Sequence, residues 1–565
     1  MNFRKNLYAI SISAAMMAMS GCGITPQDEG LGASSAKPMS GVVVDGYLAG
    51  AIVYIDVNEN NKLDAWEKRA LTDTKGYFSF NPITGVNYCS DFAETDAKYI
   101  HCLKAPSGYD SVMVRMTGGY DLATVEPFTG TISMMVDVTT AVIDTPMVAT
   151  PITGLMSEMS EDQKLQFMTD EGITDVAHKD FLNYSSPLVA GADAATDAVD
   201  RRKLLNIALK AHKIADVAAN LLDSYYDQSQ SVDVGFFGID ENIPTDGSLY
   251  VYRAMVSQIS ATNSLTSILS DATKLTAVIN QAILNMNGVV EDYNDRLPHD
   301  LTTDELSNPA DAFVTPATLD GAAVTAIVNK LLKISQTVET VFGTSVTLDG
   351  AALSDDVISR IRAIDAVVSL TRNGEAAGAV DNAVTLAGDS AYLTNLRFAG
   401  TDMVSLKKKF VATPGSVVAA DADYSTRESF TSLIAGGGSP FTGTGGGTAN
   451  DQGFAGNTLD LTKDSADPAA EAVTIDFLAV DSDGNPDLAA DNGTMKISAS
   501  SLGGDYATND GSDLILDGTW EKIDDYTMLM NVEVTDGVFE PVIVKPNDDG
   551  TGYYFDLGGD QVVWE

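Results

Sequence analysis

Asp56, Asn58, Asn60, Asp64 and Glu67 place oxygen-bearing side chains at positions 1, 3, 5, 9 and 12 of a twelve-residue stretch, a spacing that constrains the chain more than any other feature. Lys62, at position 7, offers only its backbone carbonyl, and position 8 is the apolar Leu63. An all-oxygen donor set suits a hard cation, calcium first, and not zinc or copper, which take imidazole or thiolate. Position 6 ordinarily takes glycine for a sharp turn. Asn61 stands there instead, and asparagine tolerates the left-handed backbone better than most residues. The competing reading is an Asn/Asp-rich surface turn.

The flanks of this loop are strand-like. Val42 to Val44 and Ala51 to Asp56 are short β-branched runs, and Gly76-Tyr77-Phe78-Ser79-Phe80 alternates as a strand does on leaving a turn. The loop therefore joins strands and not the two helices of an EF-hand. The stretch from Val44 to Phe80, with its D-x-N-x-N-x-x-x-D-x-x-E core, resembles the calcium-binding, prealbumin-like B-type repeats of bacterial surface adhesins. The resemblance covers about forty residues. It implies a β-sandwich over 41–150, rigidified by the metal and used as a stalk or spacer. The phrases EPFTGTIS (Glu126–Ser133) and TPITGL (Thr150–Leu155) resemble the connection that follows such a module in some large bacterial surface proteins, with a helical region next.

At the amino terminus, Arg4 and Lys5 precede an apolar run from Leu7 to Met19, and Met19-Ser20-Gly21-Cys22 ends it with small residues before a cysteine. This resembles a bacterial lipobox, which implies a signal peptide over 1–21 and acylation of Cys22; a plain secretory peptide is the alternative. Gly23 follows the cysteine where an aspartate would retain it, so the resemblance implies the outer membrane, with the cell surface favoured over the periplasmic face. Residues 22–40, rich in Gly, Ser, Ala and Pro, read as a flexible tether.

With Cys22 acylated, Cys89 and Cys102 remain. A lone pair in an exported protein most simply forms a disulfide, here pinning a polar insertion that carries Asp91, Glu94, Asp96 and Lys98; two free thiols are the alternative. The formal charge of −45 disfavours nucleic acid as a partner, and without C-x-x-C-H the chain holds no attached c-type haem.

Leu204, Ile207, Ala211, Ile214, Ala218 and Leu221 recur at helical spacing, which leaves Arg201, Lys203, Lys210 and Lys213 largely off the apolar face. Similar stripes run through Leu275 to Ile283, Val324 to Leu332 and Val357 to Val368, and Ser160 with Gln163 fits a capping box. Such stripes bury best against one another, predicting a helical bundle over 151–372. From 373 to 565, short alternating runs between turn residues predict a β-sandwich or barrel, with a Gly-rich loop near 426–450. The expected fold class is thus multi-domain α+β: a prealbumin-like sandwich, a central bundle and a β-rich C-terminal domain.

Asp481, Asp483, Asn485 and Asp487 form a second, weaker metal candidate, since Ala489 and Asn492 occupy its positions 9 and 12. Trp520, Tyr526, Tyr553, Tyr554 and Trp564 offer either a sugar-stacking platform or core. His101, His178, His212 and His299 show no ligand spacing, and HExxH, G-x-S-x-G and Walker patterns are missing from the sequence. The expectation is a non-enzymatic, calcium-stabilised outer-membrane scaffold or adhesion protein. Its partners are membrane lipid through Cys22 and a surface protein or glycan. A glycan-binding lipoprotein using the C-terminal β-domain is the second reading, and a hydrolase with an unrecognised site the third.

Overall fold

The structure is a computed structural model. It describes residues 37–173 except 62, 65 and 95, then 180–182, 194–227, 247–296, 318–343, 354–397 and 403–416, and eight strands between Thr458 and Trp564. The expected signal peptide, Cys22, Lys62, the Gly-rich stretch near 426–450 and the turn with Asp481, Asp483, Asn485 and Asp487 lie outside the described residues.

The described chain is mixed α+β. Its N-terminal part, to Ala149, is built of short strands. β1 (Lys37–Met39) pairs antiparallel with a strand at Leu103–Ala105, so the tether expected over 22–40 gives way to ordered chain at Lys37. Met39 is fully buried there, and Lys37 Nζ donates to the carbonyls of Val138 (2.8 Å) and Thr139 (3.2 Å). The largest sheet in this part places Thr131–Asp137 beside Ser111–Thr117, then Ile52–Asp56, then Arg69–Leu71, all antiparallel. Alternation sets its faces. Val53, Ile55, Val112, Val114, Met116, Ile132, Met134 and Val136 share one core, and Tyr54, Asp56, Arg115 and Ser133 alternate with them onto the opposite face. Cys89 and Cys102 are disulfide-bonded with Cα atoms 5.0 Å apart, pinning the insertion as the cysteine pair implies.

Helices follow. Pro151–Ser157 opens with a Thr150–Thr153 capping box, and Glu161–Glu171 with the Ser160–Gln163 box that its spacing implies; the latter helix closes on left-handed Gly172. Asp320 and Ser354 cap Gly321–Phe342 and Asp355–Arg372 through the main-chain amides of Ala323 and Val357. The stripe positions Leu204, Ile207, Ala211, Ile214, Ala218, Leu275, Val278, Ile279, Val324, Ile327, Val328, Leu331, Val357, Ile361, Ile364 and Val368 are buried in one core. The helical series does not stop at Arg372: Ala377–Leu386, Ser390–Asn395 and Met403–Ala412 continue it, burying Leu386, Tyr392, Leu406 and Phe410 in the same core. These last helices are short and broken by Gly374, Gly388 and Pro414, which obscures their period in the sequence.

Helix Ala194–Asp227 departs from the amphipathic expectation. Arg201 and Lys210 are buried, with Lys210 Nζ 2.7 Å from Glu339 and the Arg201 guanidinium donating to the Asp180 carbonyl at 2.9 Å. The Glu339 carboxylate and the Asp180 carbonyl are the partners of these two cations.

The C-terminal strands, Thr458–Thr462 through Asp560–Trp564, pair antiparallel in strict chain order as an eight-stranded meander; among the described pairings the first and last strands do not meet. The meander docks on the N-terminal part. Leu529 and Ile543 pack with Ala49, Tyr120 and Val125, and Thr74 Oγ1 donates to Glu521. Trp520, 1% exposed, lies inside, so it does not serve an exposed sugar platform.

Because Ile543 is fully buried in this contact, Ile543→Ala should destabilise the C-terminal meander by roughly 2–5 kcal/mol. Limited proteolysis should release the 458–564 part faster than in the parent protein. Equal cleavage rates would show that the contact contributes nothing to stability.

Candidate functional site

The twelve-residue loop is a hairpin connection. It leaves one strand at Asp56 and enters its antiparallel neighbour at Arg69, with Tyr54 opposite Arg69. Glu67 is held by main-chain amides at both ends of the loop: Oε1 accepts the Val57 amide at 2.8 Å, and Oε2 accepts the Asp64 amide at 3.0 Å. Asp56, 1% exposed, takes the Asn60 amide on Oδ1 (3.0 Å) and the Asn61 amide on Oδ2 (2.9 Å). Asn58 and Asn60 turn their side-chain amides to Asp64 Oδ2, at 2.8 and 3.0 Å. Asn61 adopts φ 65°, the left-handed conformation that position 6 requires, and Glu59 shares it at φ 56°. Burial pushes the Glu67 carboxyl above its ordinary range, against the lowering effect of the two amides it accepts.

Tested against calcium, the donors agree in chemistry: three carboxylates and two amide side chains, all ending in oxygen, surround a closed turn. Their carboxylates are spread around the loop. Among the described residues no three His, Cys, Asp or Glu side chains form a metal-ready group. What the loop already holds is an organic cation. Arg115 Nε lies 2.6 Å from Asp56 Oδ2 with both side chains nearly fully buried, and Arg115 Nη1 donates to Ser133 Oγ at 2.8 Å. The guanidinium supplies the counter-charge of the position 1 carboxylate. Sequence reasoning missed Arg115. Its one signal is a lone basic residue in the apolar run Ser111–Thr117, and nothing in that run names Asp56 as its partner.

A second concentration of charge lies where the N-terminal part meets the helices. Lys213 Nζ is 2.6 Å from Asp45 Oδ2, and His212 Nε2 is 3.8 Å from the same oxygen. Burial by itself would raise the Asp45 carboxyl, but Lys213 and His212 outweigh it and hold the group below its ordinary range. Asp121, also buried, is pushed up to about 7 by desolvation and by Asp45. A Cβ on Gly46 would overlap the Asp121 carboxylate, so only glycine lets the main chain pass. Lys407 closes the seam, 3.1 Å from Asp365 and 3.4 Å from Glu126, and Arg372 lies 3.6 Å from Asp216. Of the histidines, His101 faces the Leu71 carbonyl at 2.9 Å and His212 stacks on Phe128; His178 and His299 lie outside the described residues.

Glu521, at the contact with the C-terminal meander, is likewise pushed up to about 7, chiefly by desolvation. An acid raised in the folded state takes up a proton on folding. Its stabilising effect is full below about pH 4 and is lost as pH rises through about 7. The contribution of Asp121 and Glu521 to melting temperature should therefore fall from pH 5 to pH 8, opposed in the acid half of that range by buried His101, whose pKa burial lowers. Asp121→Asn should flatten part of that slope and stabilise the protein at pH 8 by on the order of 2–4 kcal/mol, leaving a neutral Asp45–Lys213 pair. Calorimetry across this range checks it, and a variant less stable than the parent at pH 8 would contradict the assignment.

No helix among the described residues is long and apolar enough to cross a membrane. No protein-family model, curated protein or solved structure matches this chain.

Proposed function

We propose that this chain is a lipid-anchored outer-membrane protein, exposed at the cell surface, in which a calcium-stiffened prealbumin-like β-sandwich and a helical bundle hold a β-rich C-terminal domain in fixed orientation for adhesion or assembly. The role is mechanical and not enzymatic. The carrying observation is the hairpin loop itself. Its first acid accepts main-chain amides from the middle of the loop and its last acid from either end, and its sixth residue is left-handed as such a turn requires. A loop held in this way keeps Asp56 and Glu67 in place, and admitting a hard cation requires the spread carboxylates to gather and the Asn58 and Asn60 amides to turn. Asp56, Asn58, Asn60, the Lys62 carbonyl, Asp64 and Glu67 are the ligands, and calcium supplies only charge and coordination. The charged seam between the N-terminal part and the helices suits the same role, because it ties the two together.

Calcium binds only the folded loop, so chelation should lower the melting temperature of the N-terminal part. Calcium at a hundred times its dissociation constant should stabilise by about 2.7 kcal/mol. Trp66, 59% exposed between Asp64 and Glu67, offers a fluorescence report of the same event. Glu67→Ala should abolish both responses; an intact calcium response in this variant would refute the assigned ligands.

Anchoring is tested separately. Cys22→Ala should move the protein from the membrane to the soluble fraction and end incorporation of labelled palmitate, and protease added to intact cells should remove the parent protein. Retention of the alanine variant in the membrane would overturn the anchor, and resistance to the protease would overturn surface exposure.

A further inference from the structure

Resting on the calcium reading above, we propose that Arg115 is a built-in counter-cation of the loop: it keeps Asp56 compensated when calcium is absent and, as a fixed positive charge beside the site, holds calcium affinity in a weak range. The register puts it there. Asp56 stands opposite Met113 on the neighbouring strand, and Arg115, two residues along, occupies the diagonal position on the same face. The guanidinium is anchored on its far side as well, since Nη1 reaches Ser133 Oγ on the third strand. Ser133 is itself covered: Thr153 Oγ1 of the first helix donates to its carbonyl at 3.1 Å, and Gly154 lies against its main chain. A guanidinium does not deprotonate in a protein, so this charge is permanent.

Two consequences follow from the arithmetic of charge. Among the assigned ligands, Asp56, Asp64 and Glu67 bring three negative charges, and Arg115 offsets one before any metal arrives. Calcium loops tune affinity by ligand charge count, so the loss of one unit moves the site toward the dissociation constants of extracellular modules, on the order of 10⁻⁴–10⁻³ M. The same pair explains how a nearly fully buried Asp56 is tolerated without metal, because a lone carboxylate at that depth is strongly destabilising. Arg115 thus preserves the loop for calcium and weakens its binding.

The test titrates calcium chloride calorimetrically into the full mature chain in detergent, with Arg115→Gln and Arg115→Lys alongside, and records melting temperatures in calcium and in EDTA. Arg115→Gln should bind calcium about tenfold more tightly and melt lower than the parent in EDTA, with calcium restoring it. Arg115→Lys keeps the charge and should stay within about twofold of parent affinity. The proposal is overturned if Arg115→Gln binds no more tightly than the parent, if it fails to fold in calcium as well as in EDTA, or if Arg115→Lys gains the tenfold. A parent chain that takes up no calcium would instead remove the underlying calcium reading, whereas a parent that binds, with Arg115→Gln unchanged, would remove only the role of Arg115.

Discussion

A lysine ammonium buried against a carboxylate 168 residues away, Lys213 on Asp45, is the contact on which the rest of the arrangement depends. Neither charge has enough solvent to stand alone. Burial works against the Lys213 ammonium, and Asp45 and Asp121 overcome it, raising its pKa. Removing one partner of such a pair typically costs about 3–5 kcal/mol, because the other is left uncompensated. The N-terminal strands and the long helix Ala194–Asp227 are therefore held in one relative placement, in which these groups meet.

The same logic is repeated along the seam. Arg362 donates to the Ala123 carbonyl at 2.7 Å and to the Leu396 carbonyl at 2.8 Å; Arg372 donates to Thr129 Oγ1, and Lys407 sits between Asp365 and Glu126. Ala123, Thr129 and Glu126 of the N-terminal part are tied in this way to Arg362, Arg372 and Lys407 of the helices. Apolar contact alone would tolerate sliding, whereas charges paired in a dry interface do not. The apolar core confirms the union, for Val42, Val44, Tyr47, Tyr77 and Val148 belong to the same cluster as the helical stripes. The boundary drawn at residue 150 is a change of secondary structure and not a break in packing.

The loop belongs to this continuous body. From Asp56 a line of polar contacts runs through Arg115 and Ser133 to Thr153 in the first helix. On the opposite side of the sheet, Val53, Ile55, Val114 and Ile132 fill the N-terminal core. The loop therefore hangs from a sheet packed on both faces, and its order in this structure comes from that support together with the amides that Asp56 and Glu67 accept.

Local pattern was legible because its physics is local. The Ser160–Gln163 box, the cysteine pair and the apolar stripes of the long helices depend on neighbours within a turn or a loop, and each appears where its residues imply. The alternating runs around Thr474, Met495 and Tyr553 likewise stand in strands of the meander. Tertiary structure alone decided the rest. It assigned Arg115 to Asp56, paired Lys210 with Glu339 and Lys213 with Asp45, turned Trp520 inward, continued the helices past Arg372 and laid the meander on Tyr120. The reason is the range of the forces involved: side-chain period reports which face of an element is apolar, but a charge buried against a partner on another element becomes visible only when the chain has brought the two together.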